Sequence, residues 1–503
     1  MNAAATTSDS AQQQEHCQQN PRFGFGLIAD VQWADAEDGS NFAKTSIRHY
    51  RGAFAQLVKA VDWWKEINES CETIESSNSR GGEEHDEKKE TESDGLASFD
   101  ALSSLHKTQS PLSFVAQLGD LIDGMNASLG TSRESLAKAL DQLDRLGPTV
   151  CPSINLVGNH ELYNFDRTQL QNERWLRHGN AEYYSFLACR GFRIVVLDAY
   201  QLSLIGFGDD QKNDPRRLAA VQLLAKENSN ISPDGAPGSN WFDGIPEGSY
   251  QRRFVPFNGG YGTEQLDWLE SELESARSNK ERVIVLSHVV MHPKACGGSS
   301  GGPSFMWDYD KALEILNSCR NEDGSRVVLA VLCGHDHGGG YYYDDGCDDC
   351  KDNNSETEKS TRSGIHHITV ASPLNKGADG SAYGIVRVFD DKMDIVGPNL
   401  DDLLPPDRFG FVNIKRGPFM GDLGGYGKRK SSTDDCPLES ISFSFKKRNS
   451  FQTTKHLKTT SKCTVGLMIA SFCFILMRIY NNRVSAVLKS RQMTGSHHEL
   501  KTQ

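Results

Sequence analysis

A short apolar run ends in a glycine and a carboxylate at Ser113-Phe114-Val115-Ala116-Gln117-Leu118-Gly119-Asp120. Such a run predicts a buried strand, with Asp120 at the point where the strand gives way to a loop. Polar groups follow apolar runs at four other places: Asp30-Val31-Gln32, Gly158-Asn159-His160, His288 and Gly334-His335-Asp336-His337. Because strand ends of an open α/β sheet meet at one edge, we expect these groups to converge.

Strand and helix signals alternate along the chain. Apolar runs predict strands at 23–29, 113–118, 154–157, 192–197, 282–287 and 327–332, and helical periodicity predicts helices at 44–67, 132–146, 263–277 and 309–319. Two later strands, at 365–371 and 383–389, are expected to pair as a hairpin-like unit, and Lys392–Val396 adds a further strand. The alternation indicates an α/β core with mixed sheets.

Composition sets the limits of the folded part. Hydrophobic residues make up 37% of the 503 residues, which predicts that some of the length is polar tract outside a core. We interpret residues 1–20 as a disordered tail and 21–411 as one catalytic domain, interrupted by acidic inserts at about 68–110 and 344–363. A net charge of −13 argues against nucleic acid as a partner.

The composition changes again beyond residue 411. Residues 412–462 are basic and rich in Ser and Thr, which is typical of a linker, and 481–503 form a polar tail. Between them, Cys463–Met477 carries no charge. As a helix this run would reach ~22 Å, against a bilayer core of ~30 Å; extension to residue 480 past a snorkelling Arg478 narrows the gap. We predict a C-terminal transmembrane segment at 463–480; the alternative is a short helix packed elsewhere.

The five motifs together supply a ligand set for hard divalent cations. As candidate ligands they supply two carboxylates, two side-chain amides and three imidazoles, with His160 and Asp336 outside this set, and such oxygen and nitrogen donors suit Mn²⁺. Asp120 has two carboxylate oxygens and can bridge two ions, and ions about 3.5–4 Å apart can share a water and lower its pKa towards neutrality. We predict that the resulting hydroxide attacks phosphorus, while His160 stabilises or protonates the leaving group.

The order of the motifs resembles that of the calcineurin-like metallophosphoesterase superfamily. One branch, the manganese-dependent ADP-ribose/CDP-alcohol diphosphatases, is more similar over about residues 21–410. The similarity is carried by Ile28–Gln32, Glu37–Phe42, Gln117–Gly124, Gly158–Phe165, Phe257–Gly260, Glu264–Leu266, Trp307–Tyr309 and Pro406–Arg408. Gln32 stands where most members of the superfamily carry histidine, and this replacement is characteristic of the branch.

The resemblance implies a four-layer α/β/β/α sandwich with two mixed sheets. It assigns one metal ion to Asp30, Gln32, Asp120 and His337, and the other to Asp120, Asn159, His288 and His335. The ions expected are two Mn²⁺, with Mg²⁺, Zn²⁺ and Fe as alternatives. The catalytic residues implied are His160, Asn159 and Asp120.

The same resemblance implies a small nucleotide diphosphate as substrate. The expected reaction splits the pyrophosphate bond of ADP-ribose, CDP-choline or CDP-glycerol. Phe42 is a candidate to flank the nucleobase, with core packing beside Asn41 as its alternative, and Arg48 and Arg51 are candidates to contact the pyrophosphate. We expect a monomeric, cytoplasmic catalytic domain that the C-terminal segment holds to a membrane.

Other functions are compatible with these residues. A phosphomonoesterase or a cyclic-nucleotide phosphodiesterase would use the same scaffold. A membrane-tethered binding protein without catalysis would need only a degenerate site, and the complete set of ligand residues argues against it.

The predicted transmembrane segment is testable by membrane extraction. We expect the full-length chain to stay with the membrane pellet after washing in alkaline carbonate, because an integral helix is not released by loss of charge attraction. A chain ending at residue 462 is the matched control and should be soluble. Release of the full-length chain by carbonate would contradict an integral anchor.

Overall fold

The computed structural model describes residues 20–41, 44–78, 112–173, 182–232, 240–297, 304–346, 363–409, 417–418 and 439–445. The strands in these ranges are β1 (Phe23–Ile28), β2 (Gly39–Ser40), β3 (Ile47–Arg48), β4 (Phe114–Gln117), β5 (Ser153–Asn155), β6 (Tyr184–Cys189), β7 (Phe192–Val196), β8 (Arg282–Ser287), β9 (Val328–Cys333), β10 (Gly340–Asp344), β11 (Ile365–Thr369), β12 (Gly384–Val388), β13 (Lys392–Gly397), β14 (Gly417–Pro418) and β15 (Glu439–Ser444).

The α-helices described are α1 (Tyr50–Asn78), α2 (Met125–Leu129), α3 (Ser132–Asp144), α4 (Asn159–Asn164), α5 (Arg167–Asn172), α6 (Pro215–Glu227), α7 (Gly262–Ser278), α8 (Tyr309–Ser318), α9 (Leu400–Leu403) and α10 (Pro406–Phe409). All described residues belong to one compact unit, Met1–Arg448.

Two mixed sheets form the centre of the fold. The first has the order β14-β15-β13-β12-β1-β4-β5 and the second the order β10-β11-β9-β8-β7-β6. Within the first, β1 is parallel to β4 and β4 to β5. Within the second, β7, β8, β9 and β11 run parallel to one another, and β6 and β10 are antiparallel at the two edges. The parallel strands therefore present their carboxyl ends together, which positions the loops that follow them.

The strands bury both faces, and alternate side chains enter two different cores. In β1 and β4 the residues Phe25, Leu27 and Ala116 pack against Ile284 and Leu286 of β8. This core lies between the two sheets, as the two-residue period of a strand requires.

Helices cover the outer faces of the sheets. Trp64 of α1 lies against β1 at Gly26, where a Cβ atom would approach the indole ring to 2.8 Å. The indole Nε1–H donates to Gly384 O of β12 at 3.0 Å. Helix α3 packs beside α1, and α7 packs against both β8 and α8. The predicted four-layer α/β/β/α sandwich is confirmed.

Several boundaries differ from those predicted. Helix α1 begins at Tyr50 rather than at 44, because Ile47–Arg48 pairs with Gly39–Ser40 as a small ribbon. It continues to Asn78, inside the region interpreted as an acidic insert. The rest of that insert and residues 347–362 of the second one lie outside the described residues.

The expected pairing of 365–371 with 383–389 is wrong. Strand β11 lies in the second sheet between β10 and β9, whereas β12 lies in the first sheet between β1 and β13. The hairpin is formed instead by β12 and β13, which are antiparallel and separated by a short turn. Apolar runs predict strands but carry no information about which sheet receives them.

The structure also differs from the interpretation of 412–462 as a linker. Strand β15 pairs along its whole length with β13, and Ile441 and Phe443 are buried between the sheets. The Phe443 ring contacts Tyr341 and His366 of the second sheet, with centroids 5.6 and 5.3 Å apart. Three alternating apolar residues in a Ser-rich context were too weak a signal to predict this strand.

Residues 463–480, predicted to span a membrane, lie outside the described part of the chain. Among the residues that are described, no helix is long and apolar enough to cross a bilayer. The transmembrane segment stays a prediction.

Strand β15 should contribute measurably to stability. We expect Phe443→Ala to lower the free energy of unfolding by about 3–5 kcal/mol, because it removes a buried aromatic ring between the sheets. Urea denaturation measures the change. Ser440→Ala, on the same strand but half-exposed, is the control and should change stability by less than about 0.5 kcal/mol. Equal midpoints for both variants would show that β15 does not stabilise the sandwich.

Candidate metal centre

The loops after five parallel or central strands bring the seven predicted ligands together. The loop after β1 carries Asp30 and Gln32, that after β4 carries Asp120, that after β5 carries Asn159, that after β8 carries His288, and that after β9 carries His335 and His337. All except His337 are buried to 6% exposure or less.

Distances divide the seven residues into two groups that share Asp120. Ligand atoms of Asp120, His288 and His335 all lie within 4.8 Å of one another. Asn159 Oδ1 joins this group 3.4 Å from His288 Nε2. In the other group, His337 Nε2 lies 3.6 Å from Asp30 Oδ1. This division matches the two ligand sets that the resemblance implies, and their assignment as ligands stays a prediction.

Backbone strain is concentrated in the same residues. Asp30, Gln32, Asp120 and His335 all have positive φ, between 46° and 66°. Only two other non-glycine residues in the described part of the chain share this left-handed conformation. Such conformations cost about 1–3 kcal/mol each and persist where the surroundings enforce them, commonly at functional sites. The strain turns the polar side chains inward at the strand ends.

Each motif glycine makes room for a candidate ligand from another motif. A Cβ at Gly119 would lie 2.3 Å from His288 Nδ1, one at Gly158 would lie 2.0 Å from Asp120 Oδ1, and one at Gly334 would lie 2.5 Å from Asp30 Oδ2. Only Gly119 also needs a positive φ, of 105°. At Gly158 and Gly334 the requirement is space rather than a left-handed backbone conformation.

A buried carboxylate outside the predicted set joins two of the loops. Glu161, fully buried in the first turn of α4, accepts the N–H groups of Asp120, Leu121 and Gly158 at 2.8 Å each and that of Ile122 at 3.4 Å. Burial and the Asp120 carboxylate raise the pKa of Glu161 to about 7, while these backbone donors lower it. Glu161 thereby positions the Asp120 loop against the Asn159 helix.

Two histidines are oriented by oxygen atoms that accept a hydrogen bond from the ring nitrogen facing away from the site. His288 Nδ1 lies 2.7 Å from Leu118 O, which places the proton of the neutral ring on Nδ1 and turns Nε2 towards Asp120. His335 Nε2 lies 2.8 Å from Asn258 Oδ1, which leaves Nδ1 for the site. Such outer contacts fix the tautomer of metal-binding histidines.

Sequence reasoning missed both Asn258 and Tyr200 as members of this site. The Tyr200 hydroxyl donates to Asn159 Oδ1 at 3.1 Å and so holds the predicted amide ligand. Asn258 lies in the quoted stretch Phe257–Gly260, which was the available signal, but its side chain reaches His335 only through the tertiary fold.

Gln32 contacts Asp120 and His337 of its own group and, on the opposite side of its amide, Arg48. Nε2 donates to Asp120 Oδ2 at 3.1 Å and lies 2.9 Å from His337 Nε2. Oε1 accepts from Arg48 Nη1 at 3.3 Å. A ligating amide would present oxygen to the cation, which requires the amide plane to turn by 180° and Arg48 to release it. The structure thus places Gln32 at the site with its nitrogen inward.

Burial and neighbouring charges shift the pKa values of the ionisable groups at this site, and bound divalent cations would offset these shifts. Burial raises the pKa of Asp30 to about 7. Burial, followed by the charge of Arg48, lowers the pKa of His337 to about 3. Burial acts to lower the pKa of His288, but the Asp120 carboxylate outweighs it and raises that pKa to about 9. Divalent cations bind ionised carboxylates and neutral imidazoles, so this donor set fits them.

His160 stands beside the two groups rather than within them. Its backbone N–H donates to Asp120 Oδ1 at 2.8 Å, and its Nε2 lies 3.9 Å from Asp120 Oδ2. Gly124 N–H donates to Nδ1 at 2.7 Å, and Asp123 Oδ2 lies 3.2 Å from the same atom. Burial acts to lower the pKa of His160, but Asp120 and Asp123 outweigh it and raise that pKa, so the ring can carry a proton.

The three residues predicted to contact substrate have different positions relative to the site. Arg48 reaches the site, where Nη1 lies 3.5 Å from Asp123 Oδ2 as well as near Gln32. Arg51 is half-exposed and pairs with Asp35, its Nε 2.7 Å from Oδ1, and with Glu37; the structure does not bring it to the site. Phe42 lies outside the described residues.

Comparisons with known proteins agree with this geometry. The family described as Calcineurin-like phosphoesterase matches residues 85–339. The "Manganese-dependent ADP-ribose/CDP-alcohol diphosphatase" of Oryza sativa subsp. japonica is 31% identical over 382 residues, 75% of this chain and 91% of that protein. The protein of the same name from Mus musculus is 29% identical over 412 residues, 79% of this chain and 94% of that protein.

A solved structure gives the same result. The crystal structure of a dimetal phosphatase from Danio rerio matches with a TM-score of 0.54 and 28% identity, over 75% of this chain and 96% of that one. The chain therefore belongs to the calcineurin-like phosphoesterases, in the branch of the manganese-dependent ADP-ribose/CDP-alcohol diphosphatases. It is a metal-dependent hydrolase.

The contact between Gly158 and Asp120 predicts a sensitive position. We expect Gly158→Ala to weaken metal affinity and activity by about 10–100-fold, since the new methyl group displaces Asp120 Oδ1. Metal titration followed by calorimetry, together with steady-state kinetics, measures both effects. Gly130→Ala is the control: it strains a residue with φ of 71° but meets no atom within 4 Å, so activity should be retained. Unchanged metal affinity in Gly158→Ala would contradict this account.

Proposed function

We propose that this enzyme hydrolyses the pyrophosphate bond of ADP-ribose and of CDP-alcohols with two Mn²⁺ ions. The products are a nucleoside monophosphate and a phosphorylated sugar or alcohol: water adds to one phosphorus, the bridging P–O bond breaks, and the leaving phosphate keeps the bridging oxygen. The observation that carries the proposal is the match to relatives of that name over more than nine-tenths of their length.

The two groups of donors that share Asp120 support a dinuclear centre. Asp30, Gln32, Asp120 and His337 would hold one ion, and Asp120, Asn159, His288 and His335 the other. Two bound ions supply charge to neutralise the phosphoryl oxygens and lower the pKa of water. A neutral amide at Gln32 would donate less charge to its ion than an imidazole does, so we expect that ion to be held more weakly.

Arg48 and His160 are placed to act on the substrate itself. The guanidinium of Arg48, largely buried beside Asp123 and Gln32, offers a permanent positive charge for the second phosphate of a diphosphate. His160 stands 3.9 Å from Asp120 Oδ2 with a raised pKa, so it can donate a proton to the departing phosphate oxygen. Asp123 positions both side chains, since one carboxylate oxygen lies near each of them.

Product analysis tests the proposal. With Mn²⁺ and ADP-ribose we expect AMP and ribose 5-phosphate in equal amounts, and with CDP-choline we expect CMP and phosphocholine. Asp120→Ala should abolish both reactions, because it removes the carboxylate that the two groups share. Arg51→Gln is the matched control, since Arg51 pairs away from the site, and should keep near-normal activity.

Two outcomes would contradict the proposed reaction. Hydrolysis of phosphomonoesters or cyclic nucleotides with no cleavage of any diphosphate would indicate a different phosphoesterase. Full activity of Asp120→Ala would show that the described centre does not carry the reaction.

A further inference from the structure

Helix α4 carries a further side chain to the opening of the metal centre. Tyr163 follows Asn159 by four residues and His160 by three, so the turn of the helix places all three side chains on one side. The residues Asn159–Leu162 are buried, whereas Tyr163 is 41% exposed. Its ring therefore offers an accessible surface beside two residues of the site.

The ring of Tyr163 is held against His160. The two ring centroids are 5.2 Å apart with an interplanar angle of 67°, an edge-to-face contact. Gly124 lies beneath both rings: a Cβ atom there would come within 2.8 Å of Tyr163 Cδ2 and 3.4 Å of His160 Nδ1. Because Gly124 has an ordinary helical φ of −60°, this position requires space rather than a left-handed backbone.

The hydroxyl of Tyr163 lies among the polar groups of the centre. Burial raises the pKa of Tyr163 to about 12, and a hydrogen bond with the Asn159 side chain acts to lower it. The Asp120 carboxylate raises the same pKa, and the charge of Arg48 lowers it. The accessible part of this residue is thus the ring, while the hydroxyl end is enclosed by the candidate ligands and Arg48.

The direction of the contact with Asn159 leaves the phenolic hydrogen of Tyr163 for another acceptor. Asn159 Oδ1 accepts from the Tyr200 hydroxyl at 3.1 Å and lies 3.4 Å from His288 Nε2. A hydrogen bond that lowers the pKa of a phenol is one donated to its oxygen, which the amide nitrogen of Asn159 can supply. A tyrosine hydroxyl that accepts in this way can still donate its own hydrogen.

The two carboxylates that act on Tyr163 already accept from other donors. Asp120 Oδ1 accepts the backbone N–H of His160 at 2.8 Å. Asp123 Oδ1 accepts the N–H of Met125 at 2.8 Å, and its Oδ2 lies 3.2 Å from His160 Nδ1. An acceptor that the substrate brings is therefore the natural partner, and the negatively charged oxygens of a phosphoryl group are strong acceptors.

We propose that the Tyr163 hydroxyl donates a hydrogen bond to a phosphoryl oxygen of the substrate, on the side of the centre where His160 stands. Tyr163 is then a further substrate-contacting residue, and its ring shields one edge of His160 from water. The inference rests on the proposed function only in that the substrate carries a phosphoryl group. It does not depend on which nucleotide or alcohol is attached to that group.

Tyr163→Phe tests the contact, because it removes the hydroxyl and keeps the ring beside His160. Inorganic phosphate is the probe, and its binding to the full-length, Mn²⁺-loaded protein is measured by calorimetry. We expect the variant to bind phosphate about 10–100-fold more weakly, since a hydrogen bond to a charged acceptor is lost. Tyr343→Phe is the matched control: its hydroxyl accepts Gly364 N–H in β10, away from the site, so phosphate affinity should be unchanged.

Metal titration separates a substrate contact from a role in positioning Asn159. If the hydroxyl contacts substrate, Tyr163→Phe should bind Mn²⁺ as the wild type does while kcat/KM falls by at least tenfold at saturating Mn²⁺. If the hydroxyl instead serves only to hold the Asn159 amide, the variant should bind Mn²⁺ more weakly and recover full activity when Mn²⁺ is raised. The second result would overturn the proposal, as would unchanged phosphate affinity together with unchanged kcat/KM.

The two measurements also distinguish this inference from the proposed function. If the wild type cleaves neither ADP-ribose nor CDP-choline, the proposed function fails, and the phosphate titration still decides whether Tyr163 contacts a phosphoryl group. If the wild type cleaves both substrates and Tyr163→Phe matches it in phosphate affinity and in kcat/KM, the proposed function stands and the role of Tyr163 is wrong.

Discussion

One buried carboxylate supports the geometry on which the active centre depends. Glu161 accepts four backbone N–H groups, three from the loop after β4 and one from the turn after β5. Those loops carry Asp120 and Asn159, and the carboxylate accepts N–H groups from both of them. Because an unpaired buried N–H is expensive, the carboxylate both neutralises that cost and fixes the separation of the two loops.

The centre also shows how strain is tolerated. Asp30, Gln32, Asp120 and His335 adopt left-handed backbone conformations, at a cost of about 1–3 kcal/mol each. All four lie within four residues of the ends of β1, β4 and β9, strands that are buried on both faces, so the sandwich holds the loop ends rigidly. Glycines then allow ligand side chains from other loops to approach the backbone closely. Packing in the two cores thereby offsets the backbone strain and holds the polar groups in position.

Gln32 connects two candidate metal ligands to Arg48. Its Nε2 donates to Asp120 and lies close to His337, and its Oε1 accepts from Arg48. The amide that marks this branch of the phosphoesterases thus coincides with an arginine drawn into the site. This position joins two candidate ligands, Asp120 and His337, to the permanent positive charge of Arg48.

The sequence by itself determined the mixed α/β class, most central strands and the candidate ligands, because apolar runs and the polar residues at their ends are local features; the four-layer sandwich was implied by the family resemblance. Asp30, Asp120, His288 and His335 are examples of these candidate ligands. Only the tertiary structure decided the rest. Four features depend on partners distant in sequence. They are strand β15, the placement of β11 and β12 in different sheets, the orienting contacts of Tyr200 and Asn258, and the pairing of Arg51 with Asp35. Pairing and side-chain direction are properties of the assembled chain, so no local pattern contains them.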